Sequence, residues 1–250
     1  PDRETLNLIK TRDGGTFYVD SKGNYWRMYL FIEGATCYNL VEKPEDFYQS
    51  GKAFGHFQRL LAHYPARELA ETIPGFHDTP GRFRAFRKAV EEDICGRVSE
   101  VQMDREQDMG LAMDMLAKGE LPLRVTHNDT KLNNIMIDDK TGQAICIIDL
   151  DTVMPGLSIF DFGDSIRFGA STASEDEQDL SKVSMDLHLF EVYTKGYLEG
   201  CKGSLTKREV ETLPVGAKMM TLECGMRFLT DYLEGDVYFH TARPGHNLDR

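Results

Sequence analysis

"VTHNDTKLNNIMIDDKTGQAICIID", residues 125–149, sets a histidine, an aspartate and an asparagine at 127, 129 and 134, ahead of two β-branched runs that close on Asp149. Between the runs, Asp138 to Gly142 supplies turn residues, so the stretch reads as a hairpin of strand 135–138 against strand 143–148. If the chain reverses about residue 140, Asn134 lies beside residues 146–148, and Asp149 emerges next to it at the open end. A carboxylate and an amide oxygen meeting there, with Asp129 on the preceding loop, suit two tasks. Hard oxygen ligands hold Mg²⁺, and a neighbouring carboxylate receives a hydroxyl proton.

Upstream, "GTFYVDSKGNYWRMYLFIEG" predicts two strands, 16–20 and 25–32, flanking a tight turn at Gly23 and Asn24. Nothing strand-like is expected before this hairpin, which reads as the edge of a larger sheet because a two-stranded ribbon is marginal alone. From Pro44 the pattern turns helical. Phe47, Phe54, Phe57, Leu60 and Leu61 share one face, and further helices are expected near 80–94 and 104–118. Ser174 and Glu177 match a capping box before a helix striped by Val183, Leu187, Phe190 and Tyr197. Val215, Met219, Leu222, Met226, Leu229 and Leu233 form the seam of a last, buried helix. A domain break is expected only near 33–36, dividing residues 1–34 from 35–250.

Composition narrows the partners. A formal charge of -12 over 250 residues argues against an extended nucleic-acid or anionic-membrane surface. No apolar run approaches a spanning length, and "PDRETLNLIK" is too polar for a signal peptide, so the default location is cytoplasmic. Five scattered cysteines without a CxxC pair fit reduced thiols rather than a disulfide framework or a zinc site.

With these residues in view, the sequence resembles the protein-kinase-like superfamily, "HNDTKLNN" matching its HxDxxxxN catalytic loop. "IDLD" followed by "PGLSIFDFGD" is closer to the aminoglycoside phosphotransferase and choline kinase branch. "IDLDTVMPGL", "DFGDSIRFGA" and "RFLTDYLEGDVYF" together resemble the N-acetylhexosamine 1-kinases. The resemblance implies an α+β fold: a mainly helical C-terminal lobe with a catalytic β-hairpin, plus a remnant of a β-rich N-terminal lobe. It also implies ATP and Mg²⁺ as cofactors and a sugar as the small-molecule partner.

By the same resemblance, Asp129 is the catalytic base, and it also binds and orients the sugar hydroxyl. Lys131 neutralises charge on the transferring phosphoryl group. Asn134 and Asp149 bind Mg²⁺, with Asp151 as a second metal or solvent-shell ligand. Phe31, Ile32, Glu33 and Gly34 are the linker whose backbone meets adenine, while Arg227 and Tyr238 contact the sugar. His127 anchors the loop, and Asp161 buttresses it from a following helix. The literal Asp161-Phe162-Gly163, 32 residues past Asp129, lies too far along the chain to be the metal-binding tripeptide of protein kinases.

Some residues have plainer readings. Glu223, Arg227 and Asp231 at i, i+4, i+8 would also make a surface ion-pair row. The front of the chain departs from the kinase pattern, since Lys10 is the one lysine before the first strand and no Gly-rich loop accompanies it. This chain is therefore expected to be a fragment and an impaired catalyst. Two alternatives stay open: a kinase of another small alcohol (an aminoglycoside, choline or homoserine), and a non-catalytic nucleotide- or sugar-binding module.

Overall fold

The computed structural model describes residues 3–250, a mixed α+β structure, mainly helical with three small sheets. Pro1 and Asp2, the start of the expected N-terminal remnant, lie outside the described residues. Strands β1 (Tyr18–Val19) and β2 (Tyr25–Trp26) form the expected hairpin, with Asp20 accepting backbone and side-chain hydrogen bonds across its turn. Something does precede it. Residues 7–9 ladder onto 28–30 through Leu30 N to Asn7 O and Ile9 N to Met28 O.

Strand β3 (Ala35–Thr36) leads to helix α1 (Pro44–Leu60), helix α2 (Thr79–Glu92) and helix α3 (Leu111–Ala117). Helix α3 is shorter than its periodicity suggested, because residues 106–108 form only a 3₁₀ turn ahead of it. On α1, Phe47 and Phe54 are buried as their spacing demands, whereas Leu60, at the helix end, is exposed. Strand β4 (Arg124–Thr126) pairs with β7 (Met154–Gly156). Between them, β5 (Ile135–Asp138) and β6 (Ala144–Ile147) form the second hairpin. Ile135 faces Ile147, which sets Asn134 opposite Ile148, within the expected 146–148, and β3 adds to the outer edge of β5.

Helices α4 (Ser158–Gly169), α5 (Leu187–Cys201), α6 (Lys207–Glu234) and the short α7 (His246–Asp249) complete the chain. The capping box expected at Ser174 and Glu177 does not start a helix. Residues 174–177 make a turn, and α5 begins at Leu187, where the Asp186 carboxylate accepts the amides of His188 and Leu189. Val183 and Leu187 are consequently exposed, while Tyr197 is fully buried. The true capping box is Thr206 with Glu209, at the start of α6. Along α6, Met219, Met226 and Leu233 are buried at the expected spacing. No helix among the described residues is long and apolar enough to cross a membrane.

Two helix crossings position the core, and both are made by glycines. A Cβ at Gly55 of α1 would lie 2.1 Å from the Tyr197 carbonyl oxygen of α5, and one at Gly200 would lie 2.2 Å from the Lys52 oxygen. Between α4 and α6, a Cβ on Gly163 would meet the Gly216 oxygen at 2.2 Å. These helices touch backbone to backbone, which any side chain forbids. Gly225, on the same α6, has open space where its Cβ would go.

The contrast yields a test. Gly225→Ala should stabilise by up to about 1 kcal/mol through helix propensity. Gly55→Ala gains the same term but overpacks the crossing and should lose about 1–3 kcal/mol net. Urea unfolding of the two variants against the parent chain measures both, and equal behaviour would contradict the packing account.

Candidate active site

The loop between β4 and β5 is shaped by one buried carboxylate. Asp161, in the first turn of α4 and fully inaccessible, accepts the His127 amide at 2.9 Å and the Gln58 side chain at 2.9 Å on one oxygen. Its other oxygen accepts the Asn128 amide at 2.8 Å. Burial pushes the Asp161 carboxyl up, against these N–H donors, which favour the ionised form. The next turn of α4 repeats the device, since Asp164 Oδ2 accepts the Thr130 amide at 3.1 Å and Oδ1 meets Arg167. Ser165 Oγ donates to the Thr130 carbonyl at 2.6 Å and accepts from Tyr193 of α5 at 2.7 Å.

The loop is thus held through the amides of His127, Asn128 and Thr130, on either side of Asp129. Asn128 adopts φ 66°, a left-handed conformation for which asparagine is suited, and its side chain donates to the Thr152 carbonyl at 2.8 Å. His127 is buried between the rings of Phe54 and Phe57, and its Nε2 donates to the Ile148 carbonyl at 3.0 Å. That bond ties the loop to the last residue before Asp149.

Asp129, Lys131 and Asn134 come together in one cluster. Asn134 Nδ2 donates to the Asp129 carbonyl oxygen at 2.8 Å and to its carboxylate at 3.1 Å, while Lys131 Nζ lies 2.9 Å from the other carboxylate oxygen. Burial opposes the Lys131 charge, but the Asp129 carboxylate beside it outweighs that and holds the ammonium above the ordinary lysine range. With Nδ2 committed to Asp129, the Asn134 carbonyl oxygen is the free end of its amide. The Ile148 amide donates to the Asn134 main-chain oxygen at 3.0 Å, so Asp149 follows directly at the open end of the hairpin, at φ 58°. One carboxylate and one amide oxygen are hard donors of the kind Mg²⁺ takes alongside water and phosphate oxygens, and in that sense the residues fit the ion. Asp151 is engaged elsewhere, by Arg27 from the N-terminal strands.

The other expected positions lie apart from this cluster. In the 31–34 segment Phe31 is exposed and Ile32 buried, and the Glu33 and Gly34 carbonyls both accept from Arg3, at 2.9 and 3.0 Å. Arg227 sits over three rings, with centroids at 6.0 Å for Phe76, 6.0 Å for Tyr238 and 5.4 Å for Phe239. The ion-pair row through Arg227 does not form. Glu223 bonds His77 and Thr79, and Asp231 accepts the amides of Val237, Tyr238 and Phe239. Gln58, Asp164 and Ser165 were not singled out from sequence. Asp164 had a visible signal in "DFGD", but Gln58 reaches the site only because α1 crosses behind it.

Residues 9–193 match the model of the phosphotransferase enzyme family (APH), and the chain belongs to that family. Solved structures of similar fold include an ethanolamine kinase from Plasmodium vivax, at 14% identity and a TM-score of 0.60, aligned over 93% of this chain and 64% of that one. An aminoglycoside phosphotransferase from Alicyclobacillus acidocaldarius gives 13% identity and a TM-score of 0.61, over 98% of this chain and 71% of that one. The GDP complex of aminoglycoside 2'-phosphotransferase-IIIa gives 10% and 0.59, over 98% and 73%. The chain therefore spans less than two-thirds of the ethanolamine kinase and under three-quarters of the other two.

Replacing Asp161 tests how the loop is held. Asp161→Asn replaces one acceptor oxygen with an NH2 donor facing N–H donors, leaving at least one buried amide unsatisfied, and should cost about 2–4 kcal/mol in urea unfolding. Amide exchange at His127 and Asn128 should speed up more than at β5 and β6. Uniform exchange across these segments would contradict a local role.

Proposed function

We propose that this protein is the catalytic part of an ATP- and Mg²⁺-dependent small-molecule kinase that phosphorylates a sugar hydroxyl, the anomeric hydroxyl of an N-acetylhexosamine in particular. The observation that carries the kinase reading is the Asp129–Lys131–Asn134 cluster at the open end of a hairpin whose other strand ends on Asp149. In this reading Asp129 accepts the acceptor's hydroxyl proton as that oxygen attacks the γ-phosphorus of ATP. The new P–O bond forms as the bond to the ADP oxygen breaks. Asn134 Nδ2 fixes the carboxylate's orientation, and Lys131, 2.9 Å away, supplies positive charge where the transferring phosphoryl passes. Mg²⁺, when held by Asn134 Oδ1 and Asp149, would supply charge neutralisation for the phosphates.

The sugar preference is supported by the neighbours of Arg227. A guanidinium over a platform of Phe76, Tyr238 and Phe239 pairs a polar donor with aromatic faces, which suits a neutral polyol. A cationic acceptor such as choline would meet Arg227 as a like charge. ATP binding along residues 31–34 would require the Arg3 guanidinium to share or yield the Glu33 and Gly34 carbonyls.

In the full-length protein with ATP and Mg²⁺, N-acetylglucosamine or N-acetylgalactosamine should be phosphorylated. Asp129→Asn should lower that rate by roughly 10²–10⁴-fold with an unchanged thermal midpoint. Transfer to choline or an aminoglycoside but to neither sugar would reject the substrate and keep the kinase. Undiminished transfer by Asp129→Asn would reject the base.

A further inference from the structure

Past the end of α6 the chain reverses through Gly235 and Asp236, both in the left-handed region at φ 99° and 60°, and the next three amides converge on one carboxylate. Asp231 Oδ1 accepts the amides of Val237 at 2.9 Å and Tyr238 at 2.7 Å, and Oδ2 accepts that of Phe239 at 3.0 Å. A fourth donor is Asn247 of α7, whose Nδ2 lies 2.8 Å from Asp231 Oδ2 and 2.9 Å from Asp236 Oδ1. Asp231 is 3% exposed and Asn247 is fully buried. The C-terminal segment is fastened on its other side to residues 176–178, by Arg243 and His246 on Asp176 and by Gln178 on Asp249.

The side chains on this fixed backbone are not core. Val237 is 75% exposed and Tyr238 74%, so their burial supplies no reason for the loop to hold one shape. A buried carboxylate facing N–H donors does supply one, because an unmatched partner there costs more than the bond contributes. The result is an exposed tyrosine on a backbone set from below. Its ring stands edge-on to Phe239, with centroids 4.8 Å apart, and Phe239 packs on Phe228 at 4.7 Å.

Arg227, one helical turn before Asp231, lies 6.0 Å from the Tyr238 ring and 5.4 Å from that of Phe239. The helix fixes Arg227 relative to Asp231, and Asp231 fixes the backbone of Tyr238. The spacing between guanidinium and ring therefore follows from one carboxylate. Asp161 acts in the same way on the loop that carries Asp129.

We propose that Asp231 and Asn247 are positioning residues for the acceptor: they touch no substrate, and they hold Tyr238 at the distance from Arg227 at which both meet it. This rests on the reading above in which Arg227 and Tyr238 contact the sugar. It makes α7 a determinant of acceptor affinity, with no part in nucleotide binding or in the transfer step.

The test is steady-state kinetics of the full-length protein with ATP and N-acetylglucosamine or N-acetylgalactosamine, run well below the thermal midpoint of each variant. Asn247→Ala removes a donor from two carboxylates and should raise the acceptor KM roughly three- to ten-fold, with kcat and KM for ATP unchanged. Asn247→Ser, a milder change that serves if the alanine variant does not fold, keeps a hydroxyl donor and should fall between. Tyr232→Phe deletes the bond from the next residue of α6 to Glu100, at 3.0 Å, without touching Asp231 or Asn247, and should leave the acceptor KM unchanged. In a Tyr238→Ala background, Asn247→Ala should alter the acceptor KM by less than about two-fold, since the group it positions is gone. An unmoved acceptor KM, equal effects in the two backgrounds, or a matching change in kcat or in KM for ATP overturns the positioning role, while transfer by the unsubstituted protein upholds the kinase reading. Absence of transfer to both sugars by the unsubstituted protein overturns the sugar reading and this inference with it.

Discussion

Asp161 is the constraint on which the site depends. Its carboxylate is sealed between α1, α4 and the β4–β5 loop, where it collects two loop amides and the Gln58 side chain. An acceptor with that many fixed donors has one satisfactory position, so the loop's shape follows from where α4 is packed. Asp164 and Ser165 extend the same control one turn further along α4, to Thr130. Asp129 is left as the loop carboxylate facing outward, held instead by Asn134 and Lys131. The division is physical: the buried carboxylates fix backbone, and the partly exposed one is held by side chains alone.

The tripeptide Asp161-Phe162-Gly163 shows how one motif serves three packing roles. Phe162 is fully buried and meets the rings of Phe190, Tyr193 and Tyr197 edge-on. Gly163 admits the backbone of α6, and Asp161 secures the loop. The same helix therefore carries contacts to α5, to α6 and to the site, and displacing it would disturb all three together.

Much of this was legible in sequence where the signal was local. The β5–β6 hairpin followed from turn residues between β-branched runs, and the α6 seam from its regular spacing of methionines and leucines. The fold class came with the "HNDTKLNN" and "IDLD" resemblance. What was missed depended on contacts made at a distance. Ser174 and Glu177 have the letters of a capping box, but Asp186 stands closer to the apolar residues that α5 buries and captures the helix start. The Glu223–Arg227–Asp231 spacing looks like an ion-pair row, yet Glu223 is taken by His77 and Asp231 by the amides beyond the helix end. Gln58 and His77 carry no local mark at all. Their roles arise when α1 and the loop before α2 are folded against residues more than 100 positions away.

The glycine crossings divide the molecule according to how freely it can evolve. Where α1 meets α5 and α4 meets α6 through bare backbone, a substitution at the contact disrupts the arrangement, and drift there is closed off. The segment from residue 71 to α3 packs through side chains instead, with Phe86, Ala89 and Met109 against Met226 and Leu233 in a small core of their own. Such contacts tolerate exchange of one apolar residue for another, provided volume is kept. That segment can exchange its apolar side chains repeatedly while the helices joined at the glycine crossings keep their places.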